Sequence, residues 1–134
     1  MKQMRKRVLC IDSDPSFLEN QKEILEGKDL ENCFFPFDNF RDAVQFVEKQ
    51  VINNGKSVHY ILIDENISGR KLTDSLDKLA TLKQYLKRPD IIVSTKNNDD
   101  DLRNHVMQYP FVSAFLVKPI PENYIEFLIT GNSA

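Results

Sequence analysis

The chain has 134 residues, one domain's worth, and a core of that size folds without disulfides or metals. Its 18 basic and 20 acidic residues are spread along the sequence and leave a formal charge of −2, which argues against nucleic acid as the main partner because phosphate-backbone binding needs a concentrated positive face. The basic start, Met1 to Arg7, precedes an apolar run far too short for a signal segment or a membrane span, so a cytoplasmic protein with no membrane attachment is expected.

That run, Val8 to Ile11, reads as a first strand. Asp14-Pro15 has the form of a helix start, with Asp as N-cap and Pro in the first turn, and Phe17, Leu18, Ile24 and Leu25 share one helical face behind it. A second strand is expected over Cys33 to Phe35, then a helix with Phe40, Ala43, Val44, Val47 and Val51 on its apolar face. Tyr60 to Ile63 is a third strand, and Leu72, Leu76, Leu79, Leu82 and Leu86 mark the next helix. Ile91 to Val93 is a fourth, followed by a short helix carrying Leu102, Val106 and Met107. Phe115 to Val117 is a fifth, and the last helix, with Tyr124, Ile125, Leu128 and Ile129, stops at Gly131. Cys10 and Cys33 lack the spacing of a metal or redox pair and are expected as small core residues. His59 and His105 are isolated and receive no chemistry, and the run Asn97 to Asp101 reads as a solvated loop and helix start.

Strand and helix alternate five times, which implies a single α/β domain over 1–134, core about 6–130, with a doubly wound parallel sheet and helices on both faces. Chemistry in such sheets lies beyond the C-terminal strand ends. The residues there are Asp12, Ser13 and Asp14; Asp38; Asp64, Glu65 and Asn66; Ser94 and Thr95; and Lys118. Three acidic clusters, a hydroxyl and a lysine are expected to converge on one edge.

Four segments in order carry a family resemblance over nearly the whole chain: Val8-Leu9-Cys10-Ile11-Asp12-Ser13-Asp14-Pro15, Tyr60-Ile61-Leu62-Ile63-Asp64-Glu65-Asn66, Pro89-Asp90-Ile91-Ile92-Val93-Ser94-Thr95 and Phe115-Leu116-Val117-Lys118-Pro119. They resemble bacterial two-component response regulator receiver domains of the single-domain chemotaxis type. The resemblance implies a flavodoxin-like (βα)5 sheet in strand order 2-1-3-4-5. It implies a signalling domain rather than an enzyme, with Asp64 as phosphoacceptor for a sensor histidine kinase or phosphotransfer protein, Mg-dependent phosphotransfer and autodephosphorylation, and a downstream protein target. Asp12, Asp64 and the Asn66 backbone carbonyl would hold Mg2+, with Asp14 as a further candidate, and Lys118 would pair with a phosphoryl oxygen. Ser94 would be the switch hydroxyl, Thr95 being the alternative, and Phe115 the aromatic that turns inward. As Phe rather than Tyr it should favour the buried rotamer and bias the switch toward the active-like state. The signal would leave through the face formed by the fourth helix, last strand and last helix. A cis Lys118–Pro119 bond is implied as well, X-Pro bonds reaching cis at roughly 0.5–1 kcal/mol.

The sequence departs from this family at Ser13, where a second acid usually stands, so weaker Mg2+ binding is expected. Ser68 stands where the family commonly has proline, a change in loop stiffness. Two other readings compete. One is a pseudo-receiver that binds proteins without being phosphorylated. The other is a haloacid-dehalogenase-like phosphatase using Asp12 and Asp14, which lacks the acidic pair required after Lys118. The chain's limits suggest a stand-alone receiver, and a homodimer is compatible with the family.

Overall fold

The computed structural model describes residues 5–67, 69–82 and 89–131, save the side chains of 51 and 52. Ser68, Leu86 and the side chain of Val51, which entered the expectations above, therefore lie outside the described residues. The strands are β1 (Val8–Ile11), β2 (Phe34–Phe37), β3 (Tyr60–Asp64), β4 (Asp90–Thr95) and β5 (Val112–Val117), all parallel, in the order β2-β1-β3-β4-β5. The helices are α1 (Pro15–Glu26), α2 (Phe40–Phe46), α3 (Leu72–Leu82), α4 (Asp100–Val106) and α5 (Tyr124–Thr130). The doubly wound fold expected from the alternation of periods is the one observed. Among the described residues no helix is long and apolar enough to cross a membrane.

Period two divides the core. Leu9, Ile11, Ile61, Ile63, Ile91 and Val93 point to one face and pack on Phe40 and Ala43 of α2, Leu72, Leu76, Leu79 and Leu82 of α3, and Val106 of α4. Val8, Cys10, Leu62 and Ile92 point to the other, against Leu18 and Leu25 of α1 and Ile125, Leu128 and Ile129 of α5. Strands covered on both faces carry continuous apolar runs, which is why β1, β3 and β4 were legible.

The edge strands differ from expectation. β2 starts one residue later and runs to Phe37, and Cys33 belongs to a half-buried 3-10 turn, Glu31–Cys33, rather than to the core. Pro36 is tolerated because β2 pairs on one side only. β5 starts three residues earlier, at Val112, and a bulge between Ile91 and Ile92 leaves Ser113 without a ladder partner, its hydroxyl donating to Asp90 Oδ1 at 3.0 Å. α2 passes into a π-helical segment, Val47–Ile52. Met107, expected on the buried face of the fourth helix, is instead the residue that ends it and is 43% exposed.

Backbone register at the opposite end of the sheet involves His59. Its Nδ1 accepts from the Arg7 N–H at 2.9 Å while its own N–H donates to the Arg7 carbonyl at 3.0 Å. Burial, with Arg7 and Lys6 nearby, holds the imidazole below the ordinary value of 6.5, so its contribution is fully present above that pH and lost as pH falls through the lowered value. Urea unfolding should show a small loss of stability below pH 6.5 that His59→Asn removes, because the amide oxygen still accepts the Arg7 N–H but takes up no proton. An unchanged step in the variant would place the titration elsewhere.

Candidate functional site

Asp12, Asp64, Ser94 and Lys118 meet at the C-terminal edge of the sheet. Parity explains the meeting: Asp12 follows Cys10, Asp64 follows Leu62 and Ser94 follows Ile92, all on the α1/α5 face, and Asp64 is the direct register partner of Ser94. Asp12, Asp64 and Ser94 are buried, and Lys118, just past β5, reaches across them. Its Nζ lies 2.9 Å from Asp12 Oδ2 and 3.0 Å from Asp64 Oδ1, bridging both carboxylates. The Ser94 hydroxyl donates to Asp64 Oδ1 at 3.3 Å. Asp12 Oδ1 accepts from the Asp14 N–H at 3.0 Å and Asp64 Oδ2 from the Asn66 N–H at 3.2 Å, so backbone amides fix both carboxyl groups. The Lys118–Pro119 bond is cis.

Burial alone would lower the Lys118 pKa, but hydrogen bonds to Asp12 and Asp64 outweigh it and hold the ammonium above its ordinary value. Beneath the pocket, burial and then Asp12 push the Cys10 thiol far up, so it stays protonated.

Ser94 and Thr95 divide the hydroxyl question between them. Thr95, one residue on, has the opposite parity and donates to Glu65 Oε1, while its oxygen accepts from the Asn97 N–H at 3.1 Å. The inward hydroxyl is Ser94. The Glu65–Thr95 contact was not anticipated, though the same parity that pairs Ser94 with Asp64 was its available signal.

Other expected members sit apart. Asp38 is exposed and bonded to the Asn39 amide at 2.8 Å, so two acidic clusters converge rather than three; β2 is an edge strand and its end stands away from Lys118. Asp14 is the N-cap of α1, accepting from Ser16 N at 3.0 Å and Phe17 N at 3.4 Å. Phe115 is half-buried under the Arg103 guanidinium, 5.3 Å from its ring centre, rather than turned fully into the core.

The oxygens available to a cation are the Asp12 and Asp64 carboxylates and the Asn66 carbonyl. Ser13 Oγ donates to that carbonyl at 3.3 Å. Among the described residues no group of three or more His, Cys, Asp or Glu is arranged to hold a metal. A donor set of two carboxylates and a carbonyl is nonetheless chemically suited to a hard cation that keeps several waters, as Mg2+ does.

No protein-family model and no curated protein matches the sequence. Solved structures do match its fold. A response regulator receiver protein from Pseudomonas putida superposes with a TM-score of 0.74 at 18% identity, covering 98% of this chain and 100% of that one. A CheY-like response regulator receiver domain protein from Methanospirillum hungatei gives 0.68 at 21% identity, covering 91% and 88%. This is the receiver-domain fold. A third receiver-fold match, a Burkholderia pseudomallei response regulator solved with a phosphorylated aspartic acid, calcium ion and citrate, gives 0.69 at 17% identity over 92% of this chain and 66% of that one.

Proposed function

We propose that this receiver fold accepts a phosphoryl group on Asp64 from a phosphohistidine of a sensor kinase or phosphotransfer protein. The observation that carries the reading is Lys118 Nζ bridging Asp12 and Asp64 at the C-terminal edge of the sheet, with the Ser94 hydroxyl on the same Asp64 oxygen. An Asp64 carboxylate oxygen attacks phosphorus, the P–N bond to the donor breaks, and the imidazole leaves with the electron pair. Asn66 N–H orients the carboxylate, while Lys118 moves from Asp64 to a phosphoryl oxygen and keeps its hold on Asp12. Ser94 turns from Asp64 Oδ1 to a second phosphoryl oxygen. Mg2+, held by Asp12, Asp64 and the Asn66 carbonyl, would neutralise charge on the transferring group. The Burkholderia pseudomallei neighbour, with its phosphorylated aspartic acid and calcium ion, supports the same chemistry on this fold. The downstream target would read the change through α4, β5 and α5, where Arg103 lies over Phe115.

A pseudo-receiver is the second reading, and the Ser13 hydroxyl favours it by donating to the carbonyl that would serve as metal ligand. The phosphatase reading loses support because Asp14 is exposed and its carboxylate caps α1. Incubation with Mg2+ and acetyl phosphate, followed by intact mass, should detect one labile phosphoryl adduct, removed by base and by hydroxylamine, that Asp64→Asn abolishes. No adduct at any Mg2+ concentration would leave the pseudo-receiver, and Asp12-dependent turnover of phosphate esters surviving Asp64→Asn would support the phosphatase.

A further inference from the structure

A cleft of about 730 Å3 opens between α2 on one side and α3 with the residues before it on the other, lined in part by Asn39 and Gln45. Its apolar floor is Val44, half-buried on α2 and one turn beyond Phe40, whose ring belongs to the core. Among the described residues three cations line it, Arg41, Arg70 and Lys78, against one acid, Glu48, in a chain whose formal charge is −2. Among the described residues neither Arg70 nor Lys78 has an ion-pair partner, and Arg41, 84% exposed, has only its neighbour Asp42 at 3.7 Å. Arg70 is held in place: its guanidinium lies 4.4 Å over the Phe40 ring, and its Nε donates to the Ser75 hydroxyl at 3.1 Å. A guanidinium fixed in this way loses little freedom when it accepts a carboxylate.

We propose that this cleft docks an acidic segment of a partner protein, one that presents carboxylates beside an apolar side chain. Charge complementarity selects the acids: a carboxylate on the partner would meet Arg70 with Arg41 and Lys78 at the rim, and the half-buried Val44 floor takes the apolar group. Three cations are too few for a phosphate backbone, whose affinity grows with each phosphate neutralised, and that backbone has nothing to set against the floor. The interaction is separate from the carboxylate pocket and does not require phosphorylation of Asp64.

The test pans a random short-peptide library against the full chain and measures selected peptides by fluorescence anisotropy, with amide shift mapping. Selected peptides should pair Asp or Glu with an aliphatic or aromatic residue, shift amides of α2 and of residues 70–78, and bind more weakly as salt rises. Arg41→Glu with Lys78→Glu, both at exposed positions and checked by circular dichroism for retained fold, should weaken binding about tenfold or more. Arg70→Gln should weaken it as well while Asp64→Asn leaves it unchanged. Peptides without an acidic bias, equal binding by the charge-reversal variant, a library that yields no binder, or tighter binding of a single-stranded oligonucleotide would each overturn the proposal.

Discussion

Lys118→Met should lower stability by roughly 3 kcal/mol at neutral pH, because removing one member of a buried ion pair leaves its partners uncompensated. Two partners are left here: the Asp12 and Asp64 side chains are 3% and 5% exposed, and the bridging Nζ lies 2.9 and 3.0 Å from them. The backbone amides of Asp14 and Asn66 and the Ser94 hydroxyl remain as donors, but they carry no countercharge. In an Asp64→Asn background one carboxylate is already gone, so the same substitution should cost clearly less, and the difference is the coupling energy of the bridge. The sign with pH follows from the raised lysine: its contribution is fully present below the ordinary value of 10.5 and lost as pH rises through the folded value, so wild type and variant should converge at strongly alkaline pH. Urea unfolding at matched m-values measures each of these. Equal stability of wild type and Lys118→Met at neutral pH would mean that the two acids need no lysine. The same variant should give less adduct with acetyl phosphate, since the ammonium that neutralises a phosphoryl oxygen is missing.

The order of elements and the identity of the site residues were legible for one physical reason. Central strands buried on both faces show themselves as short apolar runs, and the first polar residue after each run is at the sheet's C-terminal edge. Asp12, Asp64 and Ser94 follow from that rule, and Lys118 follows the apolar end of the edge strand β5. Edge strands obey it poorly. Pro36 looks like an end but is accommodated at an edge, and Ser113 and Ala114 are too polar or too small to announce that β5 has begun. Asp38 follows β2 as Asp12 follows β1, yet the sheet's lateral order, which local pattern does not encode, carries it away from the lysine. Period two could have distinguished Ser94 from Thr95. It could not have revealed the Ser13–Asn66 hydrogen bond, which spans 53 residues, or the Arg70–Phe40 stack, because both depend on how loops from different strands come to rest.

Ser13→Asp is expected to tighten Mg2+ binding about tenfold, equivalent to roughly 1.4 kcal/mol, while destabilising the metal-free protein. Both effects come from the same charge. In the wild type, position 13 contributes a hydroxyl that donates to the Asn66 carbonyl, while Lys118 is shared by two carboxylates. An aspartate removes that donor from the carbonyl and adds a third negative group, so the metal-free pocket gains like-charge repulsion and the metal-bound pocket gains a ligand. Ser13→Ala separates the two parts, since it frees the carbonyl lone pair without adding charge, and its affinity should change much less. The chain has no tryptophan to report binding, so calorimetric titration and the Mg2+-induced rise in Tm are the measurements. The rise in Tm should be larger for Ser13→Asp than for wild type because the ion both binds more tightly and relieves the added repulsion. If Ser13→Asp left the affinity unchanged, Asp14 would have to leave the α1 cap to serve the ion, or a water would already fill the place of the missing acid.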